Sequence, residues 1–184
     1  MILPPWSGWG RSNNRSSSRN SDFIRGQKED FDDWEKLGAT GWDYRSVLPS
    51  FRKLENYQGA ENQYHGNLGE MVVTDLNNDN KSSLAWVEAA KELGLPANSD
   101  FNGESTFGVG SYQFSSTGRM RYSSATAFLK PAIKRGNVTV KTNALVSKVL
   151  FKGNKAIGVE WLENNELKKA YSEREVILSS GSLQ

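Results

Sequence analysis

The chain has 184 residues and a formal net charge of +2, from 23 lysines and arginines against 21 aspartates and glutamates. This length provides one ordinary domain or parts of two, and the apolar fraction of 36% indicates a loop-rich globular chain. No run approaches the roughly 18 apolar residues of a membrane span, and the balanced charge argues against a dedicated nucleic-acid binder. These residues include no cysteine and one histidine, which excludes disulfides, thiolate catalysis and a multi-histidine metal site within them.

The first 22 residues differ in composition from the remainder. The run from Arg11 to Asn20 consists of arginine, serine and asparagine, and it has no apolar residue that could support packing. We therefore expect a flexible tail. Arginines and serines can also contact phosphates, so binding to RNA or to an anionic surface is the weakest of the functional alternatives.

Two helices are predicted after this tail. Phe31, Trp34 and Leu37 form one apolar stripe of a helix over residues 28–37, which Gly38 ends. Asp43 is a candidate N-cap of a second helix that continues through residue 51.

Further short elements follow up to residue 135. We predict a short strand over residues 71–74, a possible strand over 111–115 and a helix over 123–135. Between them, Ser82 or Ser83 is the expected cap of an amphipathic helix ended by Gly94. Its inward-facing residues would be Leu84, Val87, Ala90 and Leu93.

The last third of the chain has β character. Alternating or β-rich runs over residues 138–142, 145–151 and 156–162 are separated by the turn dipeptides Gly153-Asn154 and Asn164-Asn165. They predict an antiparallel meander of three or four strands. The continuous apolar run Val176-Ile177-Leu178 predicts a strand buried on both faces, as in a parallel sheet. Because the chain stops soon after it, we expect the sequence to be incomplete.

Spacing alone identifies no catalytic constellation. His65, in Tyr64-His65-Gly66, could act as a general base, but a single histidine in a turn-rich segment is more often a surface or hydrogen-bonded loop residue. The loop from Gly103 to Gly110 has neither the Gly-x-Gly-x-x-Gly nor the Walker spacing. No metal site is predicted.

An ordered set of short motifs resembles the glucose–methanol–choline oxidoreductase family, and in particular its choline dehydrogenase-like and glucose dehydrogenase-like members. The resemblance covers residues 23–184. It begins at the run from Ile24 to Trp34 and continues through Gly41-Trp42-Asp43-Tyr44, Tyr64-His65-Gly66, Asp100-Phe101-Asn102-Gly103, Thr142 to Val146 and Glu175 to Gln184.

This resemblance implies an FAD enzyme that oxidises the CH–OH group of an alcohol, choline or a sugar. Hydride would pass to flavin N5 while a histidine takes the hydroxyl proton. The implied fold is mixed α/β and α+β. A Rossmann-like FAD-binding domain, with the meander and a parallel-sheet strand, would be interleaved with a substrate domain of helices and short strands. Residues 1–22 would be a degenerate segment, 23–135 mainly substrate-side, and 136–184 FAD-side.

The resemblance also implies cofactor contacts. Ser16, Asn20 and Ser21 match a flavin-contacting loop, in which Asn14 and Arg15 replace the family's two glycines. Val146 matches the position whose backbone meets the adenine, although an ordinary strand residue is an equally good interpretation.

No residue of this chain matches the family's catalytic histidine. The pyrophosphate-binding Gly-x-Gly-x-x-Gly unit is also missing from the sequence. We expect the chain alone not to retain FAD. The principal alternative is a non-catalytic remnant or binding module that keeps the substrate-side fold.

Overall fold

The computed structural model describes residues 22–76, 80–117 and 120–180. These residues divide into two compact units, one over 22–131 and the other over 132–180. The expected flexible tail lies outside the described residues apart from Asp22. Within the described ranges, no helix is long and apolar enough to span a membrane.

The helices of the first unit begin where local signals place them. Helix α1 spans Lys28–Lys36 and helix α2 spans Tyr44–Leu54. The Asp43 carboxylate caps α2 by accepting a hydrogen bond from the backbone N–H of Ser46. The predicted stripe of α1 is only partly correct. Phe31 is buried, but Trp34 and Leu37 are 48% and 87% exposed, although the Trp34 ring contacts those of Phe31 and Trp42.

Helix α3 spans Lys81–Glu92, and its N-cap is Asn80 rather than Ser82 or Ser83. The Asn80 side chain accepts from the backbone N–H groups of both serines, which therefore lie in the first turn. Its predicted inward face is also wrong in part. Ala90 is buried, whereas Leu84 and Leu93 are 48% and 86% exposed.

The strands of the first unit are two or three residues long. Strand β1 (Asp22–Phe23) pairs antiparallel with β4 (Gln113–Phe114), and β2 (Glu55–Tyr57) pairs in parallel with β3 (Met71–Val73). Strands β5 (Ser116–Thr117) and β6 (Met120–Arg121) form a third pair, which is antiparallel. The predicted helix over 123–135 contains a π-helical turn, Ala125–Leu129, and then α4, Lys130–Lys134.

The small apolar core of this unit is assembled from β3 and the π-helical turn. Met71, Val73 and Ala127 are buried. Four partly buried aromatic residues pack against them: Phe23, Tyr57, Tyr122 and Phe128. Because the strands are so short, this core stabilises the positions of the loops as much as it stabilises the strand pairs.

The predicted meander is confirmed in the second unit. Strands β7 (Leu145–Lys152), β8 (Lys155–Glu163) and β9 (Glu166–Tyr171) form an antiparallel sheet in the order β7-β8-β9. Both turns lie at the predicted dipeptides. Gly153, Asn164 and Asn165 have φ values of 59°, 53° and 65° there, which is the left-handed conformation that such turns require. Residues 138–142 form no strand, so the meander has three strands.

The predicted parallel-sheet strand at Val176-Ile177-Leu178 is wrong for the structure described. These residues have no strand conformation, and Ile177 and Leu178 are 48% and 68% exposed. A strand exists only through hydrogen bonds to a neighbouring strand, and no described strand pairs with this run. Val176 instead packs against the core of the second unit, formed by Ala144, Val159 and Trp161.

Candidate functional site

The most highly organised polar site in the described residues surrounds His65. Its ring is fully buried between two carboxylates that are far apart in sequence. Nδ1 lies 3.0 Å from both carboxylate oxygens of Glu55, at the start of β2. Nε2 lies 3.0 and 3.1 Å from the two carboxylate oxygens of Asp100, in the loop after α3. Since an ionised carboxylate only accepts hydrogen bonds, both ring nitrogens must donate, and the ring is an imidazolium.

The protonation of His65 follows from two opposed effects. Burial alone would lower the pKa of His65, but the hydrogen bonds to Asp100 and Glu55 outweigh burial and raise that pKa to about 9. Burial pushes the pKa of Asp100 upward, but the hydrogen bond and charge of His65, together with the hydrogen bonds from Gln113 and the backbone N–H of Asn102, outweigh burial and lower that pKa. The ion pair is therefore maintained at neutral pH.

Arg25 completes the charge balance of the site. One terminal nitrogen of its guanidinium binds the Glu55 carboxylate, and the other donates to the backbone carbonyl of Tyr64 at 2.7 Å. The guanidinium carbon also lies 5.4 Å from the centre of the Phe51 ring. Two cations and two anions thus lie together: Arg25, His65, Glu55 and Asp100. We call these four residues the charged cluster.

Two amide side chains extend the charged cluster. Gln113 is 1% exposed and donates to a carboxylate oxygen of Asp100 at 3.0 Å. Asn102 is 3% exposed and donates to the side-chain carbonyl of Gln113 at 2.8 Å. The hydrogen bonds therefore run without interruption from Arg25 to Asn102.

Close backbone contacts and ring stacking fix the position of the histidine. The Tyr57 ring stacks on His65 with a 4.1 Å distance between ring centres, and its hydroxyl donates to Asp75. Burial, reinforced by this hydrogen bond to Asp75, raises the pKa of Tyr57, which stays a neutral donor. Gly66 packs directly on Arg52, where an added Cβ would lie 1.9 Å from the backbone carbonyl oxygen. A glycine is therefore required at this position.

The chemistry available to the charged cluster is positioning rather than proton transfer. An imidazolium with both N–H groups engaged has no lone pair with which to accept a proton. Within the described ranges, no group of three His, Cys, Asp or Glu residues is arranged to hold a metal ion. This geometry agrees with the interpretation of His65 as a hydrogen-bonded loop residue. It also shows a feature that the interpretation did not include, because the His65 ring is a buried cation.

The predicted cofactor contacts fall in two places. Ser16, Asn20 and Ser21 lie outside the described residues. Val146 lies in β7, opposite Trp161 of β8, and is partly buried against the core of the second unit. The register shifts between Val146 and Lys148, and the hydroxyl of Ser147 donates to the backbone carbonyl of Glu160.

Strand β7 is an edge strand of the described sheet, so half of its backbone groups point away from β8. Backbone N–H and C=O groups are suited to the polar edge of a purine, so this strand edge is chemically compatible with an adenine contact.

The charged cluster could not be found from spacing, because Glu55 and Asp100 are 45 positions apart and Arg25 is 30 before Glu55. The one available signal was that Arg25, His65 and Asp100 each lie in a motif on which the family resemblance rests. Glu55 lies between two of these motifs, Gly41-Trp42-Asp43-Tyr44 and Tyr64-His65-Gly66.

Comparisons with known proteins agree on one family. A family model described as GMC oxidoreductase matches residues 16–184. Human mitochondrial choline dehydrogenase is 37% identical over 175 residues, which is 95% of this chain and 29% of that protein. The alcohol dehydrogenase [acceptor] of Pseudomonas putida is 40% identical over 164 residues, 88% of this chain and 30% of that protein.

Two solved structures have a similar fold. An FAD-dependent oxidoreductase from Chaetomium thermophilum is 29% identical with a TM-score of 0.80, covering 88% of this chain and 30% of that one. Pyridoxine 4-oxidase from Mesorbium loti, at 23% identity and a TM-score of 0.75, shares the fold over 82% of this chain and 30% of its own. The chain therefore spans about 30% of the length of the relatives described here.

Proposed function

This chain belongs to the GMC oxidoreductase family, and we propose that it forms part of the FAD site and substrate side of an enzyme that oxidises CH–OH groups. The substrates would be alcohols, choline or sugars. The observation that carries the proposal is the unbroken match over residues 16–184 to a family that includes choline and alcohol dehydrogenases. FAD, when bound, supplies the hydride acceptor.

The residues of this chain would have binding and positioning roles. Ser16, Asn20 and Ser21 would contact the flavin, and the backbone of the edge strand β7 at Val146 would bind the adenine. The meander would be part of a Rossmann-like FAD domain, and residues 23–135 would belong mainly to the substrate domain. No catalytic residue is assigned to this chain, because its one histidine is held as an imidazolium by two carboxylates.

A chimaeric enzyme tests the proposal. The matching segment of the Pseudomonas putida alcohol dehydrogenase is replaced by residues 10–184 of this chain, and the purified protein is examined for flavin absorbance and for dye reduction with an alcohol. We expect a yellow chimaera with bound FAD. The same exchange with the human choline dehydrogenase segment is the control for the exchange itself.

The test also separates the enzyme from a non-catalytic remnant. A folded chimaera without flavin, beside a control that carries it, would contradict the proposed function. If the double variant Asn14→Gly/Arg15→Gly then restored flavin binding, the replacement of the two glycines would be the cause of the loss, because glycines let the backbone approach a cofactor closely. That result would favour the remnant.

A further inference from the structure

We propose that Asn102 is a site of spontaneous deamidation, and that the hydrogen bonds around its side chain suppress this reaction while the unit over residues 22–131 is folded. The modification converts Asn102 to aspartate or isoaspartate, with water as the co-reactant. All the residues that take part lie in the described structure, so the reaction does not depend on whether the chain binds FAD.

The chemistry arises from the pair Asn102-Gly103, the only Asn-Gly dipeptide in the sequence. Asparagine is thermally labile, and most so before glycine, because a residue without a Cβ leaves its backbone nitrogen accessible. That nitrogen attacks Cγ of Asn102. The N–Cγ bond forms, the Cγ–Nδ2 bond breaks, and Nδ2 leaves as ammonia with the proton of the Gly103 N–H. Water then opens the cyclic imide at either carbonyl, which gives aspartate or isoaspartate.

Packing requires the glycine of this labile pair. A Cβ added at Gly103 would lie 2.6 Å from the Oδ2 atom of Asp100. That oxygen is not free to move away, because it bonds to Nε2 of His65 at 3.0 Å. A larger residue at this position would therefore disturb the charged cluster.

Hydrogen bonding requires the asparagine. Its Oδ1 accepts from the backbone N–H of Arg25 at 2.7 Å, and its Nδ2 donates to the backbone carbonyl of Phe23 at 2.8 Å. The two bonds lie on either side of Ile24 and continue the pairing of β1 beyond its last residue. Aspartate could make the first bond but not the second, because an ionised carboxylate only accepts.

The same contacts oppose deamidation in the folded chain. The leaving group Nδ2 also donates to the side-chain carbonyl of Gln113 at 2.8 Å. The Gly103 N–H, which must lose its proton, donates to the backbone carbonyl of Asp100 at 3.3 Å. Asn102 is 3% exposed, so water has little access to it. Reaction therefore requires a local opening that separates residues 100–103 from the segment after β1.

The charged cluster makes this opening more costly. Gln113 donates to Asp100 at 3.0 Å, and Asp100 in turn accepts from His65. Freeing the Asn102 amide thus disturbs a side chain that is bonded to a buried ion pair. Any change that weakens this connection should expose Asn102 to reaction.

The reaction product does not fit the site. A carboxylate at this position would face two acceptors, the backbone carbonyl of Phe23 and the side-chain carbonyl of Gln113, with no proton between them. Isoaspartate would also lengthen the backbone by one methylene group. Each opening that ends in deamidation therefore weakens the link between residues 22–25 and the loop after α3 permanently.

Mass spectrometry of the 184-residue chain tests the protection. The reference is a peptide of residues 99–107, in which Asn102 is the one asparagine. Both are incubated at pH 8 and 37 °C, and the mass increase from amide to acid at Asn102 is followed after digestion. We expect the peptide to react and the folded chain to react at least about tenfold more slowly. Equal rates would overturn the proposal.

Two variants test whether the local contacts are responsible. Gln113→Ala removes an acceptor of Nδ2 and a donor to Asp100, so Asn102 should react at least about fivefold faster than in the unchanged chain. Asn80→Ala is the matched control, because it removes the N-cap of α3 in the same unit and leaves Asn102 and Gln113 in place. Its rate should stay close to that of the unchanged chain.

Equal acceleration in the two variants would show that global stability controls the reaction, and would overturn the role given to the local contacts. If Gln113→Ala does not fold, the comparison with the peptide still decides whether the fold protects Asn102. Asn102→Asp tests the consequence. We expect it to unfold at a lower temperature than the unchanged chain at pH 7, and an unchanged unfolding temperature would contradict the misfit of the product.

Discussion

Raising the pH from 6 to 10 should remove a large part of the stability of the unit over residues 22–131, because His65 loses its proton. The histidine is buried between Glu55 and Asp100, stacks on Tyr57, and shares Glu55 with Arg25. Deprotonation would leave one ring nitrogen facing a carboxylate with no proton between them. Both partners would then be acceptors.

The magnitude follows from the pKa. The pKa of His65 is raised from its ordinary 6.5 to about 9, and a tenfold change in proton affinity is worth about 1.4 kcal/mol, so the imidazolium contributes about 3 kcal/mol. Because the pKa in the folded state is the higher one, this contribution is complete below pH 6.5. It decreases as the pH rises and is lost above about pH 9.

The single histidine makes the assay specific. Its ring signals are the only imidazole signals of the chain, so two-dimensional NMR reports its protonation directly. We expect both ring nitrogens to be protonated at pH 7.5, with a midpoint near 9. In parallel, the free energy of unfolding in urea should fall between pH 6.5 and 9, and this slope should vanish in His65→Gln.

A titration midpoint near 6.5, or a neutral ring with one protonated nitrogen at pH 7.5, would refute the reasoning. If His65→Gln does not fold, the NMR titration of the unchanged chain still decides. Asp100 adds the opposite dependence at low pH. Because its pKa is lowered in the folded state, its contribution is lost as the pH falls below its ordinary 3.8.

Three further predictions concern single positions and the cofactor. Gly66→Ala should destabilise the chain by about 2–3 kcal/mol, since the added Cβ would overlap the backbone carbonyl of Arg52. Gly26→Ala should cost less, because its nearest neighbours are side-chain atoms, the Phe31 ring at 3.0 Å and a carboxylate oxygen of Asp30 at 3.5 Å; equal losses of unfolding temperature would contradict this. Asn165→Gly should stabilise the β8–β9 turn by about 0.5–1 kcal/mol and Asn165→Val should destabilise it, because φ is 65° there. A valine variant that is more stable to urea than the glycine variant would contradict this. The isolated 184-residue chain, incubated with excess FAD and gel-filtered, should carry no stoichiometric flavin absorbance because it lacks a Gly-x-Gly-x-x-Gly unit, and a yellow one-to-one complex would disprove that.

The elements that could be predicted from the sequence depend on residues close together in the chain. Asp43 caps α2 through an N–H three residues away. The turns at Gly153-Asn154 and Asn164-Asn165 use residues that adopt positive φ at low cost. The meander follows, because each strand pairs with the next one along the chain.

The features that could not be predicted depend on distant partners. The parallel pairing of β2 with β3 needs the whole loop between them. A short strand was predicted where β3 lies, but β2 has too short an alternation to recognise. The exposure of Leu84 and Leu93 depends on what packs against α3, which an amphipathic pattern does not specify. The strand predicted at Val176-Ile177-Leu178 was wrong for the same reason, since a continuous apolar pattern does not identify the strand that would pair with it.

The charged cluster shows why a single histidine in a turn can be a buried ion. Taking one charge out of water is costly, and so is leaving any one member without its partner. The four charges sum to zero, and each carboxylate bonds to a cation, so no charge is left unpaired. Each residue is therefore stable in its position only because the other three are present. No local pattern could indicate this, because the residues come from four separate segments: the one after β1, the start of β2, the turn at His65 and the loop after α3. The same dependence extends to the backbone at Phe23 and Arg25, because Asn102 bonds to both and is joined through Gln113 to Asp100 of the charged cluster.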